Sequence, residues 1–227
     1  MLKKFVFVTL FLTITAGIIF KLEAANCGLA EIDHVEDIGT ETMVLSYALG
    51  ANSDDEDGLT EASFKTNGNK YDVEEASVIA VVEPTGNIRQ TEGSIGQEII
   101  FKKIIIGEEY ASVQQKGYVY QYFGFYEIDD KIQFMNVLNL MYPENEYLIF
   151  LDASPLNPYM QKPVYILKSD FFGYININGR NTKTLDENFQ NYNFGDLKDY
   201  EFFSVSEKIT NVLNGIRKEI LNLYSCE

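Results

Sequence analysis

At 227 residues, 46% of them hydrophobic and 23% charged, the chain has ordinary globular composition and room for one sizeable core, which argues against disorder. Eighteen Lys and Arg stand against 34 Asp and Glu, a formal net charge of −16 at pH 7. Phosphate backbones and anionic headgroups are bound by neutralising them with Lys and Arg, so this balance argues against nucleic acid as a partner; its first meaning is solubility.

The chain opens on Lys3 and Lys4, followed by an apolar run from Phe5 to Phe20 and then Leu22-Glu23-Ala24-Ala25, small residues at a cleavable spacing. This pattern predicts a signal peptide over 1–24, cut after Ala24, and an exported protein at the cell surface or in the medium. An uncleaved anchor is the competing reading. The run ends at Lys21, short of the roughly 20 apolar residues of a membrane span, so membrane association is expected only if the leader is retained. Lipidation of Cys27 is disfavoured by Asn26 before it and by Lys21 and Glu23 interrupting the approach. Removing the leader takes away three Lys and one Glu, leaving 15 − 33 = −18. Cys27 and Cys226 are the two cysteines, one near each end of the mature chain. In an oxidising compartment they are expected to form a disulfide. Closing a loop of that length contributes up to ~5 kcal/mol on the chain-entropy model.

Residues 25–75 read as an irregular N-terminal segment. Met43 to Leu49 has the composition of a short strand or helical turn, Asn52 to Gly58 is an acidic run, and Asn67-Gly68 suits the tight turn of a hairpin between Phe64 and Tyr71. Residues 76–180 are legible as strands: Ala76 to Val82, ended by Pro84, Thr85, Gly86 and Asn87; Glu98 to Ile106; Tyr118 to Phe125, with Gly124 as a bend; and Tyr147 to Asp152. Val164 to Lys168 and Gly173 to Ile177 follow, and Asn178-Gly179 reads as a second hairpin turn with Arg180 beginning the return. Short strands separated by turn signals, without helical periods between them, predict a small barrel or a sandwich. Residues 181–227 form a C-terminal extension. Ser204 and Glu207 stand at capping-box spacing, and Ile209, Val212, Leu213, Ile216, Ile220 and Leu223 fall on one helical stripe. A helix over 205–224 is expected to cover one side of the sheet.

Glu75 to Val82, Glu98 to Ile106, Glu144 to Leu151 and Phe172 to Gly179 carry a resemblance to secreted Gram-positive proteins of unassigned function. Those proteins have the five-stranded barrel of netrin-like and tissue-inhibitor-of-metalloproteinase domains. The resemblance covers a little under half the chain. It implies a mainly β fold: a small, partly open, five-stranded OB-like barrel, here with a C-terminal amphipathic helix. It implies no activity. Inhibitory members use an N-terminal cysteine and dense disulfides, which this chain lacks.

Chemistry is sparsely signalled. His34 is the sole histidine, so any His-dependent site must use it; its neighbours Asp33 and Glu36 point elsewhere in most local geometries, and an exposed or locally bonded role is expected. With Cys27 it makes two zinc ligands where structural sites use four. The acidic run 52–58 places Ser53, Asp55, Asp57 and Gly58 as a calcium loop would, but Phe64 stands where the bidentate glutamate belongs. A solvated loop is the reading, with weak calcium binding the alternative. Tyr118, Tyr120 and Tyr122 alternate and so share one face of a strand, either as a binding platform or as sheet packing. No Gly-rich phosphate loop precedes a helix, and carboxylates are too abundant for any pair to single itself out. No catalytic residue, metal site or cofactor is assigned. The expectation is a monomeric, non-catalytic interaction or binding module for an unknown protein or carbohydrate; a carboxylate-based hydrolase and a membrane-tethered structural protein are the alternatives. Intact-mass analysis of the exported protein is expected to show a chain starting at Ala25 that is two hydrogens lighter before reduction than after; a chain retaining Met1 would establish the anchor instead.

Overall fold

The computed structural model describes residues 32–39, 43–44, 64–65, 70–91, 94–122, 125–128, 131–134, 138–153, 162–179, 181–185, 192–204 and 206–224. The leader, Cys27, Cys226, the acidic run 52–58, the Asn67-Gly68 turn and Gly124 lie outside them. The strands are β1 (Met43–Val44), β2 (Val78–Thr91), β3 (Ser94–Ile106), β4 (Lys116–Tyr122), β5 (Phe125–Ile128), β6 (Lys131–Phe134), β7 (Tyr147–Ala153), β8 (Val164–Leu167), β9 (Tyr174–Asn176), β10 (Asn181–Thr184) and β11 (Tyr200–Ser204), with helices α1 (Phe194–Leu197) and α2 (Glu207–Leu223).

Five strands close into a ring in the order β2-β3-β4-β8-β7 and back to β2. Every neighbour pair is antiparallel except β4–β8. The fold is thus mainly β, an OB-like five-stranded barrel with a C-terminal helix, and it is closed rather than partly open. Closure falls to β7. One edge of it pairs with β2 from Val78↔Leu151 to Val82↔Tyr147. The other edge is shared by β8, at Leu151 to Ala153, and by β9, at Tyr147 to Ile149.

The turn residues Pro84, Thr85, Gly86 and Asn87 do not end the first strand. They form a bulge inside it: the β2–β3 register jumps from Pro84↔Ile99 to Ile88↔Gln97, and Gly86 supplies a φ of 88° there. Two further shifts, at Ile79/Ala80 and Val81/Val82, add the curvature a barrel strand needs. Asn178-Gly179 does make a turn, with Gly179 at φ 76°, but the chain does not fold back on β9. β10 instead pairs in parallel with β11.

The core is rich in tyrosine. Phe101 meets Tyr165 edge-on at 5.4 Å, and Tyr147 meets Tyr174 at 5.7 Å. Two of the phenols that this buries find backbone partners: Tyr165 donates to the Tyr110 carbonyl at 2.8 Å, and Tyr147 accepts from the Tyr142 amide at 2.9 Å. A second apolar cluster joins Ile32, Val35 and Ile38 of the N-terminal segment to Ile88 and Ile95 of the hairpin and to Leu185, Phe194, Leu197 and Phe203. Both chain extensions therefore pack on the half of the β2–β3 hairpin beyond the bulge.

Helix α2 buries Ile209, Leu213, Ile216 and Ile220 against the barrel core, while Leu223, in the last turn of the same stripe, is exposed. Its cap is Ser206, which accepts the Ile209 amide at 3.3 Å. Ser204 is still in β11, so the helix begins two residues later than the capping-box spacing implied. Arg217 anchors the helix. Its guanidinium pairs with the buried Glu201 carboxylate at 2.8 Å and donates to the Asn176 carbonyl at 3.0 Å, while Glu201 accepts the Asn176 amide at 2.8 Å. Leaving either charge uncompensated is expensive. Arg217→Met is expected to lose about 3–5 kcal/mol in urea unfolding, and Arg217→Met/Glu201→Gln to recover much of it; equal losses in both variants would refute the pairing.

Candidate binding surface

Past the bulge, one side of the β2–β3 hairpin faces the second apolar cluster through Ile88 and Ile95. Alternation sends the intervening residues the other way. Registers Gly96↔Arg89, Gly96↔Tyr120 and Glu98↔Tyr118 place Arg89, Glu98, Tyr118 and Tyr120 on one outer face. Pairs Tyr118↔Val164 and Tyr120↔Ile166 extend that face onto β8. Gly96 is required here. A Cβ at that position would stand 2.7 Å from Tyr120 Cζ, so only glycine lets the ring lie against β3.

Glu98 is the electrostatic centre. Its side chain is 1% exposed. One carboxylate oxygen accepts from Lys162, and the other accepts from Thr85 Oγ1 and Asn87 Nδ2, each at 2.8 Å, with Lys116 Nζ at 3.7 Å. Thr85 and Asn87 belong to the bulge, so the same backbone irregularity that curves β2 also supplies two of the donors. Burial pushes the Glu98 carboxyl upward. Hydrogen bonds from Lys162, Thr85 and Asn87, together with the charge of Lys116, overcome that and bring it down to about 2. The bond to Glu98 in turn raises the Lys162 ammonium above its ordinary value. Both groups stay ionised at neutral pH, so this cluster fixes charge.

Two cations lie over the Tyr118 ring, Arg89 Cζ at 5.1 Å from its centroid and Lys162 Nζ at 5.5 Å. The Tyr118 and Tyr120 rings stand 6.4 Å apart, tilted. Burial raises the Tyr120 phenol, with the charge of Arg89 opposing. Tyr118 and Tyr120 are half-buried; the side chain of Tyr122 lies outside the described residues. The rings are thus part sheet packing, and Tyr118 is a mount for cations. His34 is exposed. It forms an isolated backbone bridge with Asn87, and the Ile88 amide donates to the Asp33 carbonyl at 2.7 Å. It therefore abuts the bulge.

Comparison with protein-family models, with characterised proteins and with solved structures returns no match.

Among the described residues no group of three or more His, Cys, Asp or Glu could hold a metal, and no helix is long and apolar enough to cross a membrane. Among the described residues the carboxyls held above their usual range are Asp72 and Asp170, shifted chiefly by burial.

Arg89, Lys116 and Lys162 were not singled out by the sequence. The signal that could have found Lys116 is the alternation Lys116-Tyr118-Tyr120 set against Gly96 and Glu98 across the antiparallel β3–β4 pair. Glu98 also predicts a pH dependence. A carboxyl whose folded pKa lies below its unfolded value stabilises the fold fully above about 4.5, and that contribution is lost as pH falls towards about 2. Acid unfolding is expected to show a loss on the order of 2 kcal/mol across this window, allowing for the solvent exposure of both lysines. Glu98→Gln should flatten that segment of the stability profile; an unchanged profile would show that Glu98 is not ionised as described.

Proposed function

We propose that the protein is an exported, non-catalytic binding module whose working surface is the outer face of β3, β4 and β8. The carrying observation is the pair of cations, Arg89 and Lys162, over the Tyr118 ring, with Lys162 and Lys116 held on one buried carboxylate, Glu98. Lys116 and Lys162 against Glu98 give this cluster a local charge of 2 − 1 = +1, within a chain whose formal charge is −16. Burying a carboxylate to hold lysines in fixed positions is costly unless it is well bonded, and the arrangement displays charge at set places rather than performing acid–base chemistry. The basic start and apolar run of residues 1–24 support export. The closed barrel supports a rigid scaffold, and faces of such barrels serve as recognition surfaces in general.

The test is capture. Immobilised residues 25–227 are incubated with surface extract and spent medium of the producing cell, next to an Arg89→Gln/Lys162→Gln variant of matched thermal stability. The wild-type chain is expected to retain at least about tenfold more of one component, the scale of a lost pair of interfacial charges. Equal retention by both would mean that this face is not the working surface.

A further inference from the structure

We propose that the end of β3 and the loop after it form a self-association surface, through which two copies of this chain pair about a two-fold axis. It lies at the opposite end of β3 from Gly96 and is independent of the binding face above. Five large apolar side chains are exposed among the described residues, and three of them fall within 106–113: Ile106 at 47%, Tyr110 at 49% and Val113 at 55%. Their backbone is firmly held. The Gly107 carbonyl accepts the Tyr110 amide at 2.9 Å and the Ala111 amide at 3.2 Å, and the Tyr110 carbonyl accepts the Tyr165 phenol at 2.8 Å. Gly107 sits at φ 93°, where a Cβ would collide with the Ser77 carbonyl, and Ala111 is buried in the core. A loop fixed in this way, with three apolar side chains shown to water, marks a contact surface whose ordering cost is already met. Beside it, β4 leaves β3 at the Phe101 bonds to Gln114 and Gln115. No described strand pairs with that edge of β3 over 102–106.

The occupant follows from the charges. Lys102 is held by Glu83 at 2.8 Å, whereas the side chains of Lys103, Glu108 and Glu109 have no partner among the described residues. The register shifts at Ile79/Ala80 and Val81/Val82, with two lysines, blunt this edge against strands in general. A partner must bring an acid to Lys103 and basic charge to the glutamates. A second copy brings both. Turned antiparallel about Ile106, it sets Lys103 of each chain against Glu109 of the other, with Glu108 alongside and the isoleucines between. Anionic lipid is repelled by the same two acids and by a chain of formal charge −16. Three half-exposed side chains fall well short of the ~800 Å² per partner of a standard interface, so the pair is reversible. The net charge opposes pairing from a distance, and salt screens that repulsion over about 8 Å at physiological strength. Apolar contact is not screened and exposed ion pairs add little, so association tightens with added salt.

The test is sedimentation equilibrium of the protein as isolated from its producing cell, with reductant, from about 5 to 500 µM chain and about 0.02 to 0.5 M NaCl. Mass is expected to rise from one chain towards two, with an association constant at least about threefold larger at the high-salt end. Tyr110→Ser and Val113→Asp should each weaken pairing about tenfold or more at unchanged thermal stability. At about 0.1 M NaCl, Lys103→Glu should weaken it about threefold or more, and Lys103→Glu/Glu109→Lys should restore it. Lys103→Glu/Glu36→Lys, of the same net charge but with its new lysine in the N-terminal segment, should not restore it. Monomer mass throughout would overturn the proposal. So would pairs that form only without reductant, pairing unmoved by Val113→Asp, or pairing that salt weakens.

Discussion

A strand that must pair with two partners around a closed ring cannot stay straight. β2 meets β7 along Val78 to Val82 and β3 along nearly its whole length, and the two demands are reconciled by three register shifts. The largest, from Pro84 to Ile88, has three consequences. It gives the barrel its curvature. It also aims Thr85 and Asn87 at Glu98, and it leaves Asn87 and Ile88 placed to bond the N-terminal segment at His34 and Asp33. Closure, the buried carboxylate and the docking of the first described residues all follow from one bulge.

The same economy recurs among the buried polar groups. Gln97 uses both ends of its amide on Met141, donating to the carbonyl at 2.8 Å and accepting the amide at 3.0 Å, so a side chain completes what a strand neighbour would supply. Asn139 donates to the Leu197 and Tyr200 carbonyls, each at 2.8 Å, and ties α1 to the start of β11. These amides occupy places where the chain crosses between the barrel and its extensions. There regular ladders end, and backbone groups would otherwise be buried without partners.

The alternation of Val, Ile and aromatic residues made β2, β3, β7 and β8 readable, and the stripe from Ile209 to Ile220 made α2 readable. What misled was local punctuation. Pro84 to Asn87 has the residues of a turn, and whether such a group ends a strand or bulges inside it is settled by the partner strand, which no local window contains. Asn178-Gly179 turned as expected, but the partner of the following strand is set by Tyr200 to Ser204, twenty residues on. The helix cap moved from Ser204 to Ser206 because β10 holds β11 out to Ser204. The surface was half legible. Tyr118 and Tyr120 announce a shared face by their spacing, while Lys116 and Arg89 reach it only through cross-strand register, and Lys162 only through ring closure at β8.

Val78 finds Leu151, 73 residues later, and Asn176 finds Arg217 across a further 41. No half of this chain can seal itself: the ring needs β7, and the carboxylate beneath α2 needs the last helix. Topologies of such long reach fold slowly, because loop entropy must be met before distant contacts offset it. A nascent chain of this kind stays open until nearly all of it has been made.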